Sequence, residues 1–183
     1  CTTNCLAPVL DVLDKHLGIT IGYMSTIHAY TNDQATLDIA HKKGYRSRRG
    51  RACATNIVPA STGAASAIGK VLPRLEGKLN GVAYRVPVSD GSMIDLVLSC
   101  QTKTTSEQIN QIFRQNESVS LRVTDDPVVS SDVLGLETGA LVDLSLTSVV
   151  EENDKQLVKV VAWYDNELGY TSQMMRTAKK LFS

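Results

Sequence analysis

Five places in this sequence carry side chains able to do chemistry. The first is the opening run Cys1-Thr2-Thr3-Asn4-Cys5, followed by Leu6, Ala7, Val9, Leu10, Val12, Leu13 and Leu17 at helical spacing. Cys1 therefore falls at or just before a helix N-terminus. Free N–H groups and a positive partial charge gather there, so the position favours a thiolate and binds anions. A reactive nucleophile and a small buried cysteine beside an ordinary cap both fit this stretch taken alone. The second is His28, near the C-terminal end of a strand-like run over 19–30. Alternation places Met24, Thr26 and His28 on one face, which suits a general base or a hydrogen-bonded core histidine. The third is Ser61-Thr62-Gly63, ahead of an apolar helix over 64–72, either a second anion site or plain capping. The fourth is Arg85, flanked by apolar residues on a strand over 80–88, where it needs an anionic partner or a sheet edge. The fifth is the basic cluster Lys42, Lys43, Arg46, Arg48, Arg49 and Arg51, in a polar stretch over 31–58. A stretch this long without regular structure is commonly functional. Only Tyr45 offers a stacking platform there, which argues for a solvated loop or subunit contact over RNA binding.

The elements that must hold these groups follow in order. After the first helix and strand, a short helix is possible around Gln34–Ala40. Strands are expected over 93–101, near 119–124 and 127–132, and over 140–150 and 156–164, with helices over about 104–116 and 171–182. Pro8 is read as lying in the first turn of its helix, and Thr2, Thr3 and Asn4 as capping types. The fold class is α+β: a mixed, mostly antiparallel sheet with helices packed on one face, preferred over a doubly wound parallel sheet. No Gly-x-Gly-x-x-Gly follows a strand, so the chain carries no dinucleotide-binding half of its own.

The 183 residues suffice for one domain with a sizeable core. A formal net charge of zero argues against a whole-domain nucleic-acid or membrane-surface binder, and no apolar run is long enough to span a bilayer. The four cysteines, Cys1, Cys5, Cys53 and Cys100, form no Cys-x-x-Cys pair, and the three histidines do not fall at zinc-ligand spacing. No metal is expected. Reduced thiols in a cytoplasmic setting are expected instead. The absence of an initiator Met or signal peptide reads as a fragment or processed product.

Taken together, Cys-Thr-Thr-Asn-Cys (1–5), Thr-Ile-His-Ala-Tyr-Thr-Asn-Asp-Gln (26–34), Ser-Thr-Gly-Ala-Ala (61–65), Tyr-Arg-Val-Pro (84–87) and Trp-Tyr-Asp-Asn-Glu-Leu-Gly-Tyr (163–170) closely resemble the catalytic domain of the phosphorylating glyceraldehyde-3-phosphate dehydrogenases, bacterial type. The resemblance runs almost end to end. It implies a glycolytic NAD-dependent oxidoreductase in which Cys1 is the nucleophile and His28 its base, with a Cys thioester cleaved by inorganic phosphate to an acyl phosphate. It assigns Thr31 and Arg85 to the phosphate of glyceraldehyde 3-phosphate, with Asp33 beside them, and Thr2, Thr62 and Gly63 to inorganic phosphate. Arg49 is a weaker candidate near both pockets. Asn166 matches the residue that holds the nicotinamide carboxamide, with Tyr170 close by. Residues 31–57 match a loop that packs toward a neighbouring subunit's cofactor, and a homo-oligomer, tetrameric in the full-length parent, is implied.

Three departures qualify this. The family's Ser before the nucleophile is absent, Val88-Ser-Asp-Gly-Ser replaces the commoner Thr-Pro-Asn version, and the N-terminal NAD-binding domain is missing. The domain organisation expected is thus 1–183 as catalytic and oligomerisation domain, inactive by itself because NAD requires the other half. Three alternatives stand beside this: an erythrose-4-phosphate dehydrogenase, which Thr31 and Thr62 disfavour; an N-terminal-nucleophile hydrolase, disfavoured because its nucleophile begins a strand; and a non-enzymatic protein-binding fragment.

Overall fold

The computed structural model describes residues 1–182. The helix α1 spans Thr2–Leu17 and buries Cys5, Leu6, Val9, Leu10, Leu13 and Leu17, a stripe at three- and four-residue spacing. Cys1 occupies its N-cap position with no side-chain capping bond, so neither Thr2 nor Thr3 nor Asn4 acts as the cap. Pro8 lies in the second turn, not the first as its spacing suggested. It has no N–H to give the carbonyl of Asn4. That carbonyl instead packs against Gly139, where a Cβ would stand 2.8 Å from the oxygen. Gly18, at φ 67, ends the helix and donates its N–H to Asp14 O at 3.0 Å.

Seven strands form one sheet in the order β2-β3-β1-β4-β7-β6-β5. They are β1 (Ile19–Ala29), β2 (Val58–Ala60), β3 (Leu79–Val86), β4 (Ser92–Cys100), β5 (Leu121–Thr124), β6 (Ala140–Glu152) and β7 (Lys155–Tyr164). The β1–β3 and β5–β6 pairs are parallel and the other four junctions antiparallel, as the expected mixed sheet requires. Along β1, Met24, Thr26 and His28 are buried while Ile21 and Tyr23 are exposed, so the alternation read from the sequence holds. The helix α1 crosses the buried face. Beside it pack α2 (Ala64–Val71), against β3, and α3 (Ser106–Gln115), against β5 and β6. A reciprocal Thr105–Gln108 capping box starts α3.

Four expectations are corrected. Residues 34–40 form no helix: a single 3-10 turn covers Asn32–Gln34 and is closed by Ala35 in the left-handed region at φ 54. The strand expected near 127–132 is a 3-10 turn over Ser130–Val133, because Pro127 supplies no N–H and the Asp132 carboxylate takes the Val129 N–H at 2.7 Å. Conversely, Val58-Pro59-Ala60 is an edge strand at the end of the irregular stretch, a place where a proline is tolerated. The closing helix α4 (Leu168–Leu181) starts three residues early because Asp165 Oδ1 accepts the N–H groups of Glu167 and Leu168 at 2.8 and 2.7 Å.

Candidate active site

The parallel pairing of β1 with β3 sets His28 opposite Arg85, and α1 begins over that end of the sheet. A cavity of about 320 Å³ opens there, lined by Cys1, Thr2, His28, Arg49, Thr62, Gly63 and Arg85, together with Thr3, Thr26, Ser61, Ala64 and Ala83. Seven of the residues singled out in the sequence therefore line one cavity. Thr31 and Asp33 join through hydrogen bonds to the two arginines, and Asn166 through Ser92. Tyr170 lies on α4, half exposed and outside this cavity.

Cys1 Sγ stands 3.3 Å from His28 Nε2. His28 Nδ1 lies 2.8 Å from the carbonyl of Ala29, which can only accept, so Nδ1 carries the proton and Nε2 faces the sulfur as the free base. Burial lowers the His28 pKa to about 4, and the positive charges of Arg85 and Arg49 push in the same direction. The ring is therefore neutral at rest and gains a proton when negative charge forms beside it. The other thiols on the core differ. Burial raises Cys100 to about 11 and holds Cys5 higher still, with its S–H against the Ala162 carbonyl at 3.9 Å. Cys1 combines partial exposure with a facing base.

Arg85 Nη1 donates to Ala29 O and Thr31 Oγ1, both at 3.0 Å. Its Nε is buried without a partner, and among the described residues it forms no ion pair. Burial first, then the charge of Arg49, lowers its pKa. A half-buried guanidinium lacking a carboxylate is a strong attractor for an anion. Arg49 is held at the rim by an ion pair to Asp33 and a 2.9 Å bond to Ser61 O, which fastens the 31–34 and 48–50 turns to the start of α2. Across the cavity, Thr62 Oγ1 accepts the Ala64 N–H at 3.2 Å. The first N–H groups of α1 and α2 have no intrahelical acceptors. The site is thus a thiol–imidazole pair between two positive ends.

The sequence reading missed two hydroxyl groups beneath the pair. Tyr164 is 1% exposed, and its Oη is 2.9 Å from both Thr2 Oγ1 and Thr26 Oγ1. Thr26 gives its proton to Met93 O at 3.1 Å, so it accepts from Tyr164, and Tyr164 accepts from Thr2. The Thr2 proton is therefore committed inward, and the residue faces the cavity with its backbone and a lone pair. Ser92 Oγ accepts the Ala29 N–H at 3.0 Å and donates to Asn166 Oδ1 at 2.8 Å. Ser92 and Tyr164 stand at the ends of β4 and β7, positions that alternation alone reads as packing.

A larger recess, about 580 Å³, lies between α4 and the turn at 119–120, but Arg176 there is already bonded to Glu137 O at 2.9 Å and no cysteine or histidine lines it. Among the described residues no group of three His, Cys, Asp or Glu side chains could hold a metal, and no helix is long and apolar enough to cross a membrane.

A part-buried thiol–imidazole pair set between two anion-attracting walls on an α+β sheet is suited to nucleophilic chemistry on an anionic ligand. The chain belongs to the family described as glyceraldehyde 3-phosphate dehydrogenase, C-terminal domain, whose model matches residues 1–166. Relatives named glyceraldehyde-3-phosphate dehydrogenase include those of Clostridium acetobutylicum, 54% identical, and Clostridium pasteurianum, 52% identical. The protein of that name from Streptococcus pyogenes is 51% identical. Each alignment covers 97% of this chain and 52–53% of the relative, so the chain spans about half the length of the curated relatives it matches.

Proposed function

We propose that this chain is the catalytic half of a phosphorylating, NAD-dependent glyceraldehyde-3-phosphate dehydrogenase of glycolysis. The observation that carries the reading is the 3.3 Å approach of Cys1 Sγ to the unprotonated Nε2 of His28, beside an arginine with no carboxylate partner among the described residues. Cys1 attacks the aldehyde carbon of glyceraldehyde 3-phosphate, and His28 carries the thiol proton to the new oxygen, giving a thiohemiacetal. The free Nε2 then takes that hydroxyl proton as a hydride leaves the same carbon. What remains is a thioester on Cys1 and an imidazolium at His28. Inorganic phosphate attacks the thioester carbon, and the acyl phosphate departs. The thiolate leaves readily because the adjacent imidazolium stabilises it.

Two phosphates must be seated. Arg85, with Thr31, suits the phosphate of the substrate, and Arg49 adds charge while Asp33 holds it in place. The α2 start at Thr62 and Gly63, with the backbone of Thr2 across the cavity, suits inorganic phosphate. Bound NAD would supply the hydride acceptor. The Asn166 side chain fits that group, since its Nδ2 is buried with no partner among the described residues and suits a carboxamide oxygen. Tyr170 stands one turn further along and would border the same ligand. The cofactor's remaining contacts would come from the half of the relatives that this chain does not cover. Homo-oligomer formation and a cytoplasmic location belong to the same reading.

The test is Cys1→Ser in the full-length protein, which should abolish NAD-dependent oxidation of glyceraldehyde 3-phosphate while leaving NAD binding intact. Retained oxidation would refute the reading. This chain alone should show no such turnover, and measurable activity would refute the division of labour.

A further inference from the structure

We infer that Ser92 is a positioning residue that fixes the orientation of the Asn166 amide, so that the site presents N–H groups and not a carbonyl to a carboxamide-bearing nucleotide. The inference rests on the assignment of Asn166 to the cofactor. Ser92 is the first residue of β4, 1% exposed, and the cross-strand partner of Tyr164. A serine hydroxyl has one proton and two lone pairs. Here a lone pair already takes the Ala29 N–H at 3.0 Å, and the proton goes to Asn166 Oδ1 at 2.8 Å. Flipping the amide would remove the acceptor of the hydroxyl proton. The observed orientation uses the Ser92 proton and one of its lone pairs and leaves Nδ2 as the orphan. Asn166 is 7% exposed, and its Nδ2 has no partner among the described residues. A buried amide with its oxygen bonded and its two N–H groups free is built for a carbonyl oxygen brought by a ligand.

The same serine also holds the residue to which His28 is hydrogen-bonded. The N–H of Ala29 is held by Ser92, and the Ala29 carbonyl is held by His28 Nδ1 at 2.8 Å and Arg85 at 3.0 Å. One residue, Ala29, therefore ties the imidazole, the anion-binding arginine and the cofactor-facing amide to a common frame. Ser92 sits in the stretch where this sequence departs from the commoner form after Arg-Val-Pro, and nothing in its local pattern marked it as part of the site.

Two measurements test this. In the 183-residue chain, the Asn166 side-chain amide is followed by ¹⁵N–¹H NMR in the wild type, Ser92→Ala and Ser92→Thr. The resonance pair should shift and broaden in the alanine variant and stay near its wild-type position in the threonine variant, which keeps a hydroxyl. An unchanged pair in Ser92→Ala overturns the inference without reference to any cofactor. In the full-length protein, NAD dissociation constants are measured by fluorescence for Ser92→Ala, Asn166→Ala and the double variant. Ser92→Ala should weaken binding about tenfold, as loss of one oriented hydrogen bond does, and add nothing once Asn166 is alanine. Effects that multiply would show that Ser92 acts on the fold and overturn the inference. If Asn166→Ala leaves NAD binding unchanged, the assignment of Asn166 fails and the inference fails with it, whatever the NMR shows of the Ser92 bond. A urea midpoint for each variant separates loss of folding from loss of orientation.

Discussion

His28 makes the sharpest prediction because its neutrality has a stated cause. Its pKa falls from 6.5 to about 4, through burial first and then the charges of Arg85 and Arg49. In the native protein the imidazole faces the Cys1 thiol at 3.3 Å, so the measurement uses Cys1→Ala, which leaves the imidazole without that neighbour. The sign follows from linkage. The folded-state pKa is depressed, so the unfolded chain binds the proton more readily. The stabilisation is full above pH 6.5 and is lost as pH falls through 4. A shift of this size corresponds to about 3 kcal/mol in total, of which about 2 kcal/mol is already lost at pH 5. The assay is urea denaturation of Cys1→Ala and of Cys1→Ala/His28→Asn between pH 7.5 and pH 5. The difference between the two stabilities removes other titrating groups and should shrink by about 2 kcal/mol. Imidazole Cε1–H shifts give the pKa directly. A midpoint near 6.5, or a stability difference that stays flat with pH, would refute the account of burial and flanking cations at this site.

Arg85→Met should move the same midpoint upward by removing a neighbouring positive charge, and should weaken phosphate binding by about 1.5–3 kcal/mol, as phosphate titration monitored by NMR would show. Iodoacetamide at neutral pH should label Cys1 well before Cys5 or Cys100, a ranking that peptide mass spectrometry reads directly; faster labelling of either would contradict the raised thiol pKa assigned to them. Tyr164→Phe should cost about 1–3 kcal/mol in urea denaturation, since it leaves the buried Thr2 proton without its acceptor and takes a donor from Thr26. A cost near zero would mean those hydroxyls find other partners.

Much of the fold was legible because its signals are local. The stripe of α1, the alternation of β1 and the polar turn before β7 each follow from residues within one element. The failures were places where a side chain or a neighbouring strand outweighed local preference. Asp132 and Pro127 turned a β-prone run into a 3-10 turn, and pairing with β3 made a strand of Val58–Ala60 inside a stretch that otherwise reads as loop. Asp165, bonding forward into the chain, advanced the start of α4.

The sequence by itself determined the chemistry available: a cysteine at a helix start, a histidine at a strand end, a hydroxyl–glycine helix start and an arginine among apolar neighbours. It also determined which face of each element was apolar, since spacing decides that. Only the tertiary structure decided that these groups meet. The parallel β1–β3 register sets His28 against Arg85, and the placement of α1 over that edge brings Cys1 Sγ to 3.3 Å from the imidazole. It also decided which hydroxyls were already engaged. Thr2, read from the sequence as a capping type and phosphate contact, gives its proton to Tyr164, while Ser92, unremarked there, holds Asn166. The reason is physical: a hydrogen bond between residues 74 or 162 positions apart leaves no trace in local spacing, because its geometry exists only after the sheet has formed.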